Sequence, residues 1–190
     1  MVAMSHTSGD AIFAGYSSSH ALLIEQSDYP PGPWDDLESI PREQDRLETL
    51  LREVGMNSIT RVRNAGLVGL RAAFEQFMAE HGFEKDARLF VFYSGHGYTT
   101  PDGKAYLVPS TSADPRKDLA QFKRETLDMN QVASWARQMD AKHVLLVFDS
   151  CFSGSIFAQR GPRDLPSWIT RLTQEPVRYF ISAGSANGQV

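Results

Sequence analysis

A continuous apolar run, Leu89-Phe90-Val91-Phe92-Tyr93, is followed directly by Ser94-Gly95-His96-Gly97. A second run, Val144-Leu145-Leu146-Val147-Phe148, is followed by Asp149-Ser150-Cys151. Unbroken apolar runs of this length are typical of strands that are buried on both faces of a parallel sheet. Ligands of open parallel sheets gather at the carboxyl ends of the strands. If these two strands are neighbours, His96 and Cys151 face each other across one crevice.

Shorter patterned segments predict the strands and helices of the rest of the chain. A short apolar run predicts a strand at Ala21–Ile24, and further strands are predicted at Ser58–Val62 and Arg178–Ser182. Helical spacing of apolar residues predicts helices from Pro41 to Gly55, from Leu67 to Gly82 and over Asn130–Met139, and Asp102-Gly103 predicts a hairpin that includes Lys104–Val108. Strands that alternate with helices in this way indicate an α/β fold with a mainly parallel sheet.

Length and composition narrow the class of protein. The chain has 190 residues, of which 42% are apolar and 22% charged, as expected for one folded domain. A net charge of −4 argues against broad nucleic-acid binding, which needs a basic surface. The single cysteine excludes an intramolecular disulfide and a zinc site built from cysteines. No stretch reaches the length of a membrane span and no secretory signal is recognisable, so we expect a cytoplasmic protein without a membrane partner.

The pair of His96 and Cys151 has the chemistry of covalent catalysis. A thiol has a pKa of about 8.5, and a neighbouring imidazole can deprotonate it. The N–H groups of Gly97 and Cys151 are candidate donors of an oxyanion hole. A lone cysteine is usually a buried small apolar residue and a lone histidine is usually structural, but their joint position after buried strands favours catalysis. The other histidines, which are His6, His20, His81 and His143, lack such a setting, and we expect no metal site.

The residues around this pair resemble a known family. Tyr93–Gly97 and Asp149–Gly154 look like the histidine and cysteine motifs of the caspase/metacaspase superfamily of cysteine peptidases. The resemblance continues from about His20 to the end of the chain. It implies a three-layer fold, with a mostly parallel sheet flanked by helices, over residues 20–190. Residues 1–19 are then expected to be a flexible leader.

The resemblance also implies a reaction and its residues. Cys151 would be the nucleophile and His96 the general base and acid, and the N–H groups of Gly97 and Cys151 would bind the oxyanion. Peptide bonds would be hydrolysed through a thioester, without a cofactor or a metal in the chemical step. Whether calcium is required, as in metacaspases, is left open.

Three further residues correspond to pocket positions of the family. Asp149 would line the pocket for the residue before the scissile bond, and Ser94 matches a further pocket position. Glu43 stands where metacaspases usually have a pocket aspartate. The arginine of aspartate-specific caspases would fall near Leu37, among acidic residues. An acidic pocket attracts Arg or Lys, so we expect basic substrates. For Glu43, a solvent-exposed acid in the first turn of a helix is an equally good interpretation.

The chain departs from the family pattern at two places. Phe152 replaces the histidine that is common after the cysteine in metacaspases, which is more similar to bacterial caspase-like proteins and implies no change in the chemistry. The chain ends at Val190, where the family continues into its small subunit, so the partners expected besides a peptide substrate are a small-subunit fragment or an activating protein. Processing after a basic residue of the segment that follows Cys151 is a further expectation; the candidates are Arg160, Arg163, Arg171 and Arg178.

A catalytically silent scaffold with the same fold remains the alternative from another class. Two other readings are weak. The segment from Gly97 to Lys104 lacks the spacing of a phosphate-binding loop, and no Gly-x-Ser-x-Gly elbow of a serine hydrolase is present.

Overall fold

The computed structural model describes residues 15–150 and 177–182. Its elements in chain order are β1 Ser18–Glu25, α1 Ile40–Glu53, β2 Ser58–Arg63, α2 Leu67–His81, β3 Ala87–Ser94, β4 Gly97–Thr99, β5 Ala105–Leu107, α3 Leu119–Glu125, β6 Leu127–Asp128, α4 Met129–Gln138, β7 His143–Asp149 and β8 Val177–Ser182. None of the described helices combines the length and the apolar character that crossing a bilayer requires.

Five strands form a central parallel sheet in the order β2-β1-β3-β7-β8. The chain runs outward from β1 to β2 and then returns to place β3 on the other side of β1. This reversal of direction opens a crevice between the segments that leave the carboxyl ends of β1 and β3. The predicted α/β fold is confirmed, and the two strands that precede His96 and Cys151 are neighbours, as their candidate roles require.

Alternation along β1 directs its side chains to two apolar layers. Leu22 and Ile24 join the core that contains α2 and α4, whereas Ala21 and Leu23 pack with Leu51 of α1 on the other face. The helices therefore flank the sheet on both sides, because each face of β1 carries apolar residues that must be buried.

The expectation that β3 is buried on both faces is only partly right. Leu89, Val91 and Tyr93 are fully buried, whereas Phe90 and Phe92 are partly exposed on the α1 side. In β7 the same alternation occurs, with Val144, Leu146 and Phe148 buried. In these two strands, a continuous apolar run therefore corresponds to one face that is fully buried and one face that is partly exposed.

A small antiparallel sheet, β4-β5-β6, lies beside the main sheet. The predicted hairpin is its β4–β5 pair. A third apolar cluster forms here from Tyr29, Tyr106, Val108 and Phe122, with Trp34 and Leu37 packed against it. The segment after β1 is thereby fixed to the hairpin, which positions the crevice.

Element boundaries agree with the sequence to within a few residues. Strand β1 begins at Ser18, so the last two residues of the expected leader, Ser18 and Ser19, belong to the sheet. Cys151, Phe152 and the candidate processing sites Arg160, Arg163 and Arg171 lie outside the described residues, as do residues 1–14.

Candidate active site

The last residues of β3 and β7, Ser94 and Asp149, pair across the two parallel strands. The N–H of Gly95 donates to the carbonyl of Asp149 at 3.3 Å, which joins the two strand ends just beyond the ladder. Because neighbouring strands lie about 4.8 Å apart, the chain segments that lead to His96 and to Cys151 leave the sheet side by side.

The backbone of His96 is held from three directions. Its N–H donates to the hydroxyl of Tyr29 at 3.1 Å, and its carbonyl accepts from the hydroxyl of Tyr93 at 2.9 Å. The same carbonyl accepts from the N–H of Val108 at 3.1 Å. Every main-chain polar group of this residue is therefore satisfied, and the backbone is fixed relative to both sheets.

The two tyrosines of this network are buried and neutral. Tyr29 donates its hydroxyl hydrogen to the carbonyl of Val108 at 3.1 Å while it accepts from His96. Burial raises the pKa of Tyr29 to about 12. Burial also raises the pKa of Tyr93, whose side chain is fully enclosed. Both hydroxyls therefore act as hydrogen-bonding groups and not as acids at neutral pH.

The imidazole of His96 is oriented by a main-chain carbonyl. Its Nε2 lies 2.8 Å from the carbonyl oxygen of Asp35. A carbonyl only accepts hydrogen bonds, so Nε2 carries the hydrogen and Nδ1 holds the lone pair of the neutral ring. The ring also contacts Tyr29 and Trp34, at centroid distances of 4.7 and 5.4 Å. These contacts present Nδ1 as the basic nitrogen.

The segment that supplies this carbonyl is itself anchored. The N–H of Tyr29 donates to Oδ1 of Asp36 at 2.7 Å, and the N–H of Leu37 donates to the carbonyl of Ser27 at 2.9 Å. The indole of Trp34 donates to the carbonyl of Ser112 at 3.0 Å. The sequence pointed to this segment only through the acidic residues around Leu37, and a main-chain carbonyl leaves no side-chain signal by which it could be found.

Gly97 opens β4 opposite Leu107. Since the N–H of Val108 bonds to the carbonyl of His96, this pair is the non-hydrogen-bonded type of antiparallel pair. The N–H of Gly97 is consequently not used by β5. The second expected oxyanion donor, the N–H of Cys151, lies outside the described residues.

The expected pocket residues differ in their settings. Asp149 is exposed at the end of β7, whereas Ser94 is almost completely buried. Glu43 is exposed in the first turn of α1, and the next residue, Gln44, is buried and donates to the carbonyl of Ile24 at 3.3 Å. This bond holds the start of α1 at the carboxyl edge of β1. Among the described residues, no hydrogen bond or ion pair links Glu43 to Asp149, Ser94 or His96, so its pocket role stays a prediction.

Six of the acidic residues in the first third of the chain form two groups of different setting. Glu25, Asp45 and Glu48 form ion pairs with arginines, chiefly Arg61. Asp35, Asp36 and Glu38 lie on the segment that contacts His96, and within the described part of the chain they form no ion pair. The second group leaves an uncompensated negative charge beside the crevice.

Comparison with known proteins agrees with this architecture. The family model of the caspase domain matches residues 18–190. The chain therefore belongs to the caspase-domain family of cysteine peptidases. A comparison with curated proteins gave no significant match.

Proposed function

We propose that this protein is a cysteine endopeptidase in which Cys151 is the nucleophile and His96 the general base. The observation that carries the proposal is the bond from Nε2 of His96 to the carbonyl of Asp35. It leaves Nδ1 as the proton acceptor, on a loop that follows Ser94, the partner of Asp149 across the sheet. Cys151 follows Asp149 by two residues in the sequence, which supports its role as the thiol that Nδ1 deprotonates.

The reaction then proceeds in two steps. The thiol of Cys151 gives its proton to His96 and its sulfur attacks the peptide carbonyl carbon, forming a tetrahedral oxyanion. The C–N bond breaks, the imidazolium protonates the leaving amine, and a thioester remains. Water then attacks the thioester while His96 removes its proton. The C–S bond breaks, the thiolate recovers a proton from the imidazolium, and the carboxylic acid product leaves.

The N–H of Gly97 is the first donor that we assign to the oxyanion, together with the N–H of Cys151. Its freedom from the β4–β5 ladder supports this role, because a donor already bonded within a sheet could not bind a developing charge. One such donor typically contributes about 10²–10³ in rate.

Basic substrates are favoured by the charge of the crevice. Asp149 is exposed directly at the strand end, and Asp35 and Glu38 are exposed on the segment that contacts His96. We assign Asp149 as the main carboxylate that binds an Arg or Lys side chain before the scissile bond. Ser94 and Glu43 are supporting members of the same pocket in this proposal.

A further chain segment or partner is expected at β8. This strand is the last of the sheet order among the described strands, and its Tyr179 and Ile181 are 62% and 53% exposed. Large exposed apolar side chains on an outer strand support a covering element, such as a small-subunit fragment or an activating protein. The proposal includes processing after a basic residue, for which the candidates are Arg160, Arg163, Arg171 and Arg178. It also includes a cytoplasmic location.

The test uses fluorogenic peptides that end in Arg, Lys or Asp, together with covalent labelling by peptide electrophiles of the same sequences. Hydrolysis after Arg or Lys that is lost in Cys151→Ala is the expected result. Asp149→Asn should lower kcat/KM for the Arg peptide by about 100-fold, on the order of a charge-assisted pair. Asp140→Asn is the matched control, because Asp140 is also exposed but precedes β7, at the amino-terminal end of the parallel strands.

Each other outcome has a definite meaning. Cleavage after Asp would contradict the acidic pocket but retain the mechanism. Equal losses in Asp149→Asn and Asp140→Asn would remove Asp149 from the pocket. If neither hydrolysis nor labelling of Cys151 occurs, the scaffold alternative replaces the peptidase proposal.

A further inference from the structure

Three side chains that can bind a metal lie close together at the amino-terminal end of the parallel strands, whereas His96 follows the carboxyl end. His20 lies in β1, His81 is the last residue of α2, and Glu84 belongs to the connection that follows α2. One nitrogen of each imidazole and one carboxylate oxygen all lie within 4.8 Å of one another. Sequence reasoning gave these histidines no role, because they are 61 residues apart and belong to different elements.

The geometry within this cluster is ordered. The rings of His20 and His81 stack with their centroids 3.7 Å apart and their planes 11° apart. Glu84 lies with Oε1 3.1 Å from Nδ1 of His81, and its Oε2 accepts a hydrogen bond from the hydroxyl of Ser18. Ser18 thus orients the carboxylate from outside the cluster, as the supporting groups of metal ligands commonly do.

The contacts of His20 within the protein leave one ring nitrogen without a partner. Its side chain is only 12% exposed, and both ring nitrogens are shielded from solvent. Nε2 lies 3.4 Å from Oε2 of Glu84, and neither nitrogen makes a hydrogen bond of good geometry among the residues that the structure describes. Buried imidazoles normally satisfy their nitrogens, so this setting is consistent with a ligand that the carboxylate and the ring share.

The composition of the cluster suits a cation. Two imidazole nitrogens and one carboxylate oxygen within 4.8 Å of one another combine neutral nitrogen ligands with a negative charge. The lone pair of an imidazole lies in the plane of its ring, so one of the two stacked rings must turn about its Cβ–Cγ bond before both nitrogens can bind one ion.

We propose that His20, His81 and Glu84 bind a divalent transition-metal ion, for which Zn²⁺ is the appropriate probe. Two imidazoles and one carboxylate are a common ligand set for Zn²⁺, with water in the remaining position. His20 pairs with Leu89 of β3, five residues before Ser94, which places the site about 17 Å from the catalytic edge. The ion would therefore join β1, the end of α2 and the following connection without entering the chemical step.

The experiment uses untagged full-length Cys151→Ala protein, so that the thiol cannot bind metal. Zn²⁺ binding is measured by competition with a chromophoric chelator, and Co²⁺ binding by its visible absorption. We expect one high-affinity ion per chain and a higher Tm with Zn²⁺. His20→Gln and Glu84→Gln should each weaken Zn²⁺ binding at least 10-fold. Glu84→Gln retains both imidazole rings, so it tests the role of the carboxylate in Zn²⁺ binding even if His20→Gln folds poorly.

His143→Gln is the matched control. Its neighbour Val144 belongs to the same apolar layer as Leu22, so His143 is on the face opposite to His20. The proposal predicts unchanged affinity in this variant. Absence of stoichiometric Zn²⁺ binding, or equal affinity in His20→Gln, Glu84→Gln and the parent protein, would overturn it.

Discussion

The imidazole of His96 donates its Nε2 hydrogen to the main-chain carbonyl of Asp35, 2.8 Å away. The partner that orients the proposed base is therefore part of the backbone, and no side-chain substitution at residue 35 removes it. A substitution can instead remove a support of the segment that contains this carbonyl, because the N–H of Tyr29 donates to the side chain of Asp36. The two adjacent aspartates are thus expected to behave differently.

Asp36→Ala should lower kcat on the order of 10-fold for every substrate, because loss of the bond to Tyr29 lets the carbonyl and with it the imidazole shift from their productive positions. Asp35→Ala, which keeps the carbonyl, should leave kcat nearly unchanged and raise KM for basic peptides only. Steady-state kinetics on Arg peptides and on peptides with an uncharged residue in that position separate the two effects. Identical kinetic changes in both variants would contradict the assignment.

Tyr29→Phe removes a hydroxyl that accepts from the N–H of His96 and donates to the carbonyl of Val108. The free energy of unfolding should fall by about 1–3 kcal/mol, since two buried hydrogen bonds are lost. The catalytic rate should fall as well, because the backbone of His96 loses one of its supports. Urea unfolding and peptide hydrolysis measure the two losses. Tyr106→Phe, in the same apolar cluster, is the control and should affect neither by as much.

Alkaline pH should destabilise the protein through the same tyrosines. Burial raises the pKa of Tyr29 to about 12, and the pKa of Tyr93 is raised in the same direction, whereas tyrosine in an unfolded chain titrates near 10. Between these values the unfolded chain releases protons that the folded chain retains, so the free energy of unfolding falls as the pH rises.

Tyr29 alone accounts for roughly 2–3 kcal/mol of this loss between about pH 10 and 12. Urea unfolding at pH 9, 10 and 11 should therefore give a shallower decline for Tyr29→Phe than for the parent chain. Parallel declines would show that the folded-state pKa of Tyr29 is not displaced.

Gly95→Ala tests the tight packing immediately before His96. A Cβ at this position would lie 2.7 Å from Cβ of Gln26 and 2.9 Å from the hydroxyl of Tyr93. One of these groups must move, and we expect a loss of about 1–3 kcal/mol in stability together with at least a 10-fold loss of activity. Gly66→Ala is the control, since its Cβ would meet Oγ1 of Thr111 at an ordinary 3.7 Å. Full activity in Gly95→Ala would mean that the loop tolerates displacement.

The sequence contains most of the information about the main sheet. Strands β1, β3 and β7 follow from apolar runs, because burial between helices removes such a run from water. Short elements were missed. Helix α3 has only seven residues, although Asp118, whose side chain accepts from the N–H of Gln121 at 2.8 Å, was a recognisable cap. Strand β6 has two residues, too few for any alternation.

The candidate site is predictable only in its side chains. His96 and Cys151 were predicted because their residue types have chemistry and because they follow buried strands, whereas Asp149 was assigned from the family resemblance. The carbonyl of Asp35 and the support from Tyr29 and Tyr93 were not found. A carbonyl is common to every residue, and a tyrosine at the end of an apolar strand is indistinguishable in sequence from a core aromatic residue. The cluster of His20, His81 and Glu84 depends on tertiary contacts and was missed for that reason.

Trp34 lies 5.4 Å from the ring of His96 and is tied to Ser112 through its indole N–H. The candidate site therefore contains its own fluorophore. Protonated imidazole quenches indole emission more strongly than neutral imidazole, so a pH titration of Trp34 emission would report the ionisation of His96 directly, without substrate. The other two tryptophans, Trp135 and Trp168, can be replaced by phenylalanine to isolate this signal. The ionisation state of the proposed base is in this way open to optical measurement even before a substrate is known.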